Sequence, residues 1–132
     1  MNYKNLLLID DDTEDQEIFC NAAEQVSDTI HCRPMSNAKE ALQKLEAQEV
    51  VPDVIFLDLN MPIMTGMEFL EQIKQMDQLN KIPIVIFSTS ASPATIAATR
   101  ELGATNFVTK PNSFDDLIKI LTSLLTIKIS WA

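Results

Sequence analysis

Two glycines, two cysteines and one histidine in 132 residues leave little material for several kinds of chemistry. A flavin-dependent electron carrier needs uncharged phosphate-binding turns rich in Ser, Thr and Gly after its first strand, and only Gly66 and Gly103 are available in the whole chain. His31 alone cannot build a metal site and reads as an ordinary strand residue. Cys20 and Cys32 have neither CxxC spacing nor the density of a secreted scaffold, so they read as reduced, buried thiols. Bases are also scarce: 10 against 19 acids give a net charge of -9. Such a surface repels phosphate backbones and anionic headgroups, which disfavours direct nucleic-acid or membrane binding. The longest apolar runs, such as Ile82 to Phe87, fall far short of the roughly 18 residues of a membrane helix. Only Leu6 to Ile9 are apolar between Lys4 and the first acids, too few for a signal peptide. The expectation is a cytoplasmic protein of one domain, residues 1–132, with its core at about 4–126 and no output domain.

What is present is apolar and ordered. Hydrophobic residues make up 46% of the chain, enough for a core. Short apolar runs alternate with segments of helical period, the βα pattern of a parallel sheet. Strands are expected at Asn5–Ile9, Ile30–Met35, Val54–Leu57, Ile84–Phe87 and Asn106–Thr109, each followed by a helix. The first helix carries Ile18, Ala22 and Val26 on one stripe with Phe19 beside it; the second carries Ala38, Ala41, Leu42 and Leu45. Thr65 and Glu68 form a capping box ahead of Leu70, Ile73 and Met76. Ser92-Pro93 opens a fourth helix that Gly103 ends, with a thin apolar stripe of Ile96 and Ala97. Ser113 to Asp116 caps a fifth, which carries Leu117, Ile118, Leu121 and Leu125. Residues 126–132 have no clear assignment.

Strand composition orders the sheet. Strands covered on both faces are continuously apolar, which fits Leu6–Ile9, Val54–Leu57 and Ile84–Phe87. His31, Arg33 and Pro34 place the second strand at an edge, and the fifth is short. Right-handed crossovers then favour the order 2-1-3-4-5, a flavodoxin-like doubly wound fold with about five flanking helices.

In such sheets the ligand crevice lies beyond the carboxyl ends of the strands, where the strand order reverses. Strand one ends in Asp10-Asp11, strand three in Asp58, strand four in Ser88-Thr89, and strand five runs into Lys110-Pro111. Three carboxylates repel one another unless a proton or cation intervenes, and an all-oxygen set suits a hard divalent ion such as Mg²⁺. A hydroxyl and an ammonium opposite complete a phosphoryl-binding arrangement, in which an aspartate can act as nucleophile. Residues 1–17 hold six acids against Lys4. Of these, Glu14, Asp15 and Glu17 read as a solvated helix N-terminus helped by the dipole. Met61, Met64 and Met67 read as loop and core packing.

These residues carry a family resemblance over essentially the whole chain: it resembles a response-regulator receiver domain of bacterial two-component signalling. Leu6-Leu7-Leu8-Ile9-Asp10-Asp11-Asp12 is similar to the family's first strand and acidic pair. Asp58-Leu59-Asn60-Met61-Pro62-Ile63-Met64-Thr65-Gly66-Met67-Glu68-Phe69 resembles its phosphorylation-site loop almost position by position. Pro83 to Ser88 matches the fourth strand, and Gly103-Ala104 leads through Phe107 to the Lys110-Pro111 pair. Four motifs in the right order and spacing are very specific.

The resemblance implies that Asp58 accepts a phosphoryl group from a histidine of a sensor kinase or histidine phosphotransfer protein. Asp11 would bind Mg²⁺ directly, Asp10 would assist through water, and Asn60 would contribute its backbone carbonyl. Ser88 and Lys110 would bind the phosphoryl oxygens, and Phe107 would be the switch aromatic. The chain would then be a signalling phosphoacceptor, not an enzyme acting on a separate substrate, and its output would come through an unidentified protein partner. Thr13 stands where proline or serine is common, and Phe107 lacks the tyrosine hydroxyl of many members. The enzyme alternative, an aspartate-dependent phosphohydrolase of the haloacid-dehalogenase type, requires DxDx[TV]; Asn60 follows Asp58 at the second position, and Glu14 stands where Thr is required after Asp10 and Asp12.

Overall fold

The computed structural model describes residues 3–89 and 91–126. Five strands, β1 (Asn5–Ile9), β2 (His31–Met35), β3 (Val54–Leu57), β4 (Ile84–Ser88) and β5 (Asn106–Thr109), alternate with five helices. The helices are α1 (Thr13–Val26), α2 (Ala38–Glu46), α3 (Gly66–Lys74), α4 (Pro93–Glu101) and α5 (Phe114–Thr126). All neighbouring strands pair in parallel, in the order β2-β1-β3-β4-β5. β1, β3 and β4 are buried almost end to end, whereas β2 and β5 are partly exposed along their length, as expected of edge strands. The tail, apart from Thr126, lies outside the described residues.

Period-two alternation divides the core into two layers. Leu7, Ile9, Ile55, Leu57, Ile84 and Ile86 face α2 and α3. Leu6, Leu8, Val54, Phe56, Val85 and Phe87 face α1 and α5. Local signals set the helix ends. Asp12 accepts from the amides of Glu14 and Asp15, Asn37 from Glu40, and Ser92 from Thr95. Thr65 and Glu68 make the reciprocal capping box, and Ser113 accepts from the amide of Asp116. Gly103 closes the chain after α4 at φ 103°, a conformation that suits glycine. Among the described residues, no helix is long and apolar enough to cross a membrane.

Three sequence expectations are corrected. The inward stripe of α1 is Phe19, Ala22 and Ala23, while Ile18 is exposed, because the Phe19 ring packs 4.9 Å from Phe56 and 5.2 Å from Phe87 and fixes the helix rotation. The thin stripe of α4 is thinner still: Ala97 is exposed, Ile96 is half-buried, and only Thr99 is fully buried, its hydroxyl donating to the carbonyl of Ile96. Cys20 and Cys32 are half-buried and joined as a disulfide rather than being separate buried thiols. The register explains the meeting: Cys32 lies beside Leu6, so it points to the α1 face, where Cys20 sits with a Cα–Cα separation of 5.4 Å.

Candidate functional site

The carboxyl ends of β1, β3 and β5 deliver three acids and a base to one crevice. Asp10 follows β1 and Asp58 follows β3, and the amide of Asp58 donates to the carbonyl of Ile9 at 3.0 Å, which locks the two strand ends together. Asp10, Asp11 and Asp58 each offer a carboxylate oxygen, and these lie within 4.8 Å of one another. Asp10 and Asp58 are buried; Asp11 is exposed. Asn60 is exposed two residues beyond Asp58.

Lys110 closes the crevice from β5. Its backbone amide donates to the Ser88 carbonyl at 3.0 Å, continuing the β4–β5 ladder past the strand end. Its Nζ donates to Asp10 Oδ2 at 2.8 Å and stands 4.0 Å from Asp58 Oδ2. The ammonium also lies 5.7 Å from the centroid of the Phe87 ring, a cation–π approach. Ser88 is fully buried at the end of β4. Phe107 pairs in register with Ile86 and is half-buried against the α2–α3 layer.

Electrostatics follow from this packing. Burial pushes the Asp58 carboxyl above the ordinary carboxylate range; the Lys110 charge pulls it back, Asp10 pushes it further up, and the amides of Asn60 and Leu59 lower it. Burial alone would lower Lys110, but its hydrogen bonds to Asp10 and Asp15 and the neighbouring Asp58 charge outweigh that and hold the ammonium above its usual range. Three carboxylates against one ammonium leave the crevice net negative. An all-oxygen cluster of that sign fits a hard divalent cation.

Two contributors were not read from the sequence. Asp15, expected to be a solvated residue of the first helical turn, instead accepts from Lys110 Nζ at 3.0 Å, across 95 positions of chain. Gln16, mostly buried on α1, donates its side-chain amide to the Asp10 carbonyl and to Ser36 Oγ, tying the β1–α1 turn to the β2–α2 turn. Neither contact leaves a spacing signal, because each depends on how α1 sits against distant loops. The expectation for Met61, Met64 and Met67 holds: Met61 is buried and the other two pack against the same layer.

Gly66 has a steric reason. A Cβ there would run into the Asp58 carbonyl oxygen and lie 2.7 Å from Leu59 Cα, and the Gly66 amide donates to the Leu59 carbonyl at 3.1 Å. Helix α3 therefore abuts the backbone that carries Asp58. Gly66→Ala is expected to lower stability by about 2–3 kcal/mol, an overpacking cost, and to shift the amide resonances of Asp58 and Leu59. Denaturant unfolding and backbone chemical shifts check both.

Residues 6–122 match the family model described as the response regulator receiver domain. Over 78 residues, 58% of the chain, the sequence is 50% identical to the protein-glutamate methylesterase/protein-glutamine glutaminase of Treponema denticola, and the chain spans only 20% of that relative. The phosphorylated cyanobacterial phytochrome response regulator RcpA superposes with a TM-score of 0.85 at 27% identity, covering 96% of this chain and 98% of its own. The Mn²⁺-bound form of response regulator Rcp1 gives 0.78 at 27% identity, covering 98% and 96%.

Proposed function

The chain belongs to the response regulator receiver domain family, and from that premise we propose that it takes a phosphoryl group onto Asp58 from a phosphohistidine of a sensor kinase or histidine phosphotransfer protein. Phosphorylation then changes the surface it offers to a downstream protein. The observation that carries this reading is the convergence of Asp10, Asp11 and Asp58 with the Lys110 ammonium at the carboxyl ends of the strands. Asp11 and Asp58 would hold Mg²⁺ directly with the Asn60 carbonyl, and Asp10 would assist through water. Held there, the ion would supply positive charge to the phosphoryl oxygens.

The residues then divide the work. A carboxylate oxygen of Asp58 forms the new O–P bond as the donor's N–P bond breaks, and the departing imidazole takes up a proton. Lys110 and the Ser88 hydroxyl bind the phosphoryl oxygens as charge builds on them. Support comes from the two similar structures, one phosphorylated and one holding a divalent cation. We read the chain as a phosphoacceptor that also catalyses loss of its own phosphoryl group, and not as an esterase. His31, which a serine–histidine mechanism would need, lies at the amino end of β2 beside Asn5, at the opposite end of the strands from the crevice.

Intact mass spectrometry after incubation with a small phosphodonor and Mg²⁺ tests the reading. The expected result is a single phosphoryl addition to the wild type, lost over time or on removing the metal beforehand, and none to Asp58→Asn. Equal addition to both proteins would overturn the assignment.

A further inference from the structure

We infer that Asp15 is a positioning residue that holds the Lys110 ammonium in a resting pose and so restrains phosphoryl capture at Asp58; this rests on the receiver reading of the site. The geometry is that of a divided cation. Lys110 Nζ is 2.8 Å from Asp10 Oδ2 and 3.0 Å from Asp15 Oδ2, yet 4.0 Å from Asp58 Oδ2. Two of its three N–H donors are thus committed on the α1 side of the crevice, and the ammonium stands beyond hydrogen-bond range of the carboxylate that it serves.

The two committed partners differ in what their release costs. The Asp10 side chain is 1% exposed, so parting it from Lys110 would leave a buried charge uncompensated. Asp15 is 40% exposed and returns to water on release. Lys110 itself is only 13% exposed, so its end of the Asp15 pair is shielded from solvent, unlike an ordinary surface pair. When Asp58 carries a phosphoryl group, the third donor meets it, and as the ammonium is drawn across toward Asp58 the contact with the lower cost of release is the one to Asp15. Asp15 is therefore the competitor that the phosphoryl oxygens displace, and Asp10 is the anchor that stays. Asp15 also adds a negative charge beside Lys110, outside the three carboxylates that converge on one another.

Asp15→Asn keeps the side-chain shape and removes the charge. Its phosphorylation rate with a small anionic phosphodonor is expected to rise roughly two- to fivefold, with a matching fall in the beryllofluoride concentration that half-saturates the protein at fixed Mg²⁺. Asp15→Glu, which restores the carboxylate, is expected to return both values toward those of the wild type. A third readout needs neither metal nor phosphoryl group: the Nζ–Hζ resonance of Lys110 in the resting protein should shift or broaden through faster exchange in Asp15→Asn and recover in Asp15→Glu. Unchanged or slower phosphorylation of Asp15→Asn, or an unmoved Lys110 resonance, would overturn the restraint. Failure of the wild type itself to take a phosphoryl group would instead overturn the receiver reading, while the resting Lys110 resonance would still test the contact.

Discussion

Lys110→Ala is expected to unfold roughly 10 °C below the wild type at neutral pH, a loss of about 3 kcal/mol, and to lose stable phosphoryl capture. The stability loss follows from what the ammonium compensates. Asp10 is buried 2.8 Å from it and Asp58 is buried 4.0 Å from it, so its removal leaves two repelling carboxylates without their cation. The pH dependence has a defined sign. Asp58 already sits above the ordinary carboxylate range through burial, and losing Lys110 removes the charge that pulls it back. A carboxyl with a raised folded value binds its proton more tightly in the native state, so stability falls as pH rises through that window from about 3.9 upward. The deficit of Lys110→Ala should therefore be small in acid and grow toward neutrality. Lys110 is raised above its usual value, so its contribution in the wild type is complete below about 10.4 and is lost as pH rises through the folded value. The two proteins should converge again in strong alkali. Thermal unfolding across pH checks this, and a deficit independent of pH would point to lost packing against Phe87 instead.

The features legible in the sequence share a property: their signals are local. His31, Arg33 and Pro34 in one run mark an edge strand wherever that strand lies, and uninterrupted apolar runs mark the three central ones. Ser92-Pro93, the Thr65–Glu68 box and Ser113–Asp116 act within one helical turn, and all three form as read. The cluster was legible because a parallel sheet sends every carboxyl end the same way, so the residues that follow β1, β3 and β5 are the ones that meet: Asp10, Asp11, Asp58 and Lys110. What escaped depends on rotation and register across the fold. Ile18 and Phe19 are one position apart on α1, and the packing of Phe19 on Phe56 and Phe87 decides which is inward. Cys20 meets Cys32 only because β2 registers Cys32 with Leu6. Asp15 looks like any acid at a helix start until α1 is laid beside the loop that carries Lys110. Thr65-Gly66-Met67-Glu68 shows the cap but not that the Asp58 backbone leaves no room for a Cβ.

Ser88→Ala is expected to leave Asp58 open to phosphorylation while silencing the response at the far side of β5. A phosphoryl group adds about -1.5 to -2 of charge and strong acceptor oxygens beside the end of β4. The Ser88 hydroxyl is the group that would move to them. Ser88 and Ile86 share a face of β4, and Phe107 pairs with Ile86 on β5, so displacement of the hydroxyl opens space on the layer where Phe107 is half-buried. Phe107 has no hydroxyl to tether it outward or inward, and its position is decided by packing alone; Phe107→Leu should retain part of the response. Helix α4 is the element that can follow, since Thr99 is the one fully buried residue that anchors it. A partner that binds one arrangement of α4, β5 and α5 better than the other would then read the phosphorylation state. Beryllofluoride with Mg²⁺ should shift the resonances of Phe107 and of residues 92–102 in the wild type, and in Ser88→Ala only those of the crevice itself. Equal shifts in both proteins around Phe107 and α4 would show that the signal leaves the crevice by another route, with the backbone bond from Lys110 to the Ser88 carbonyl as the next link to break.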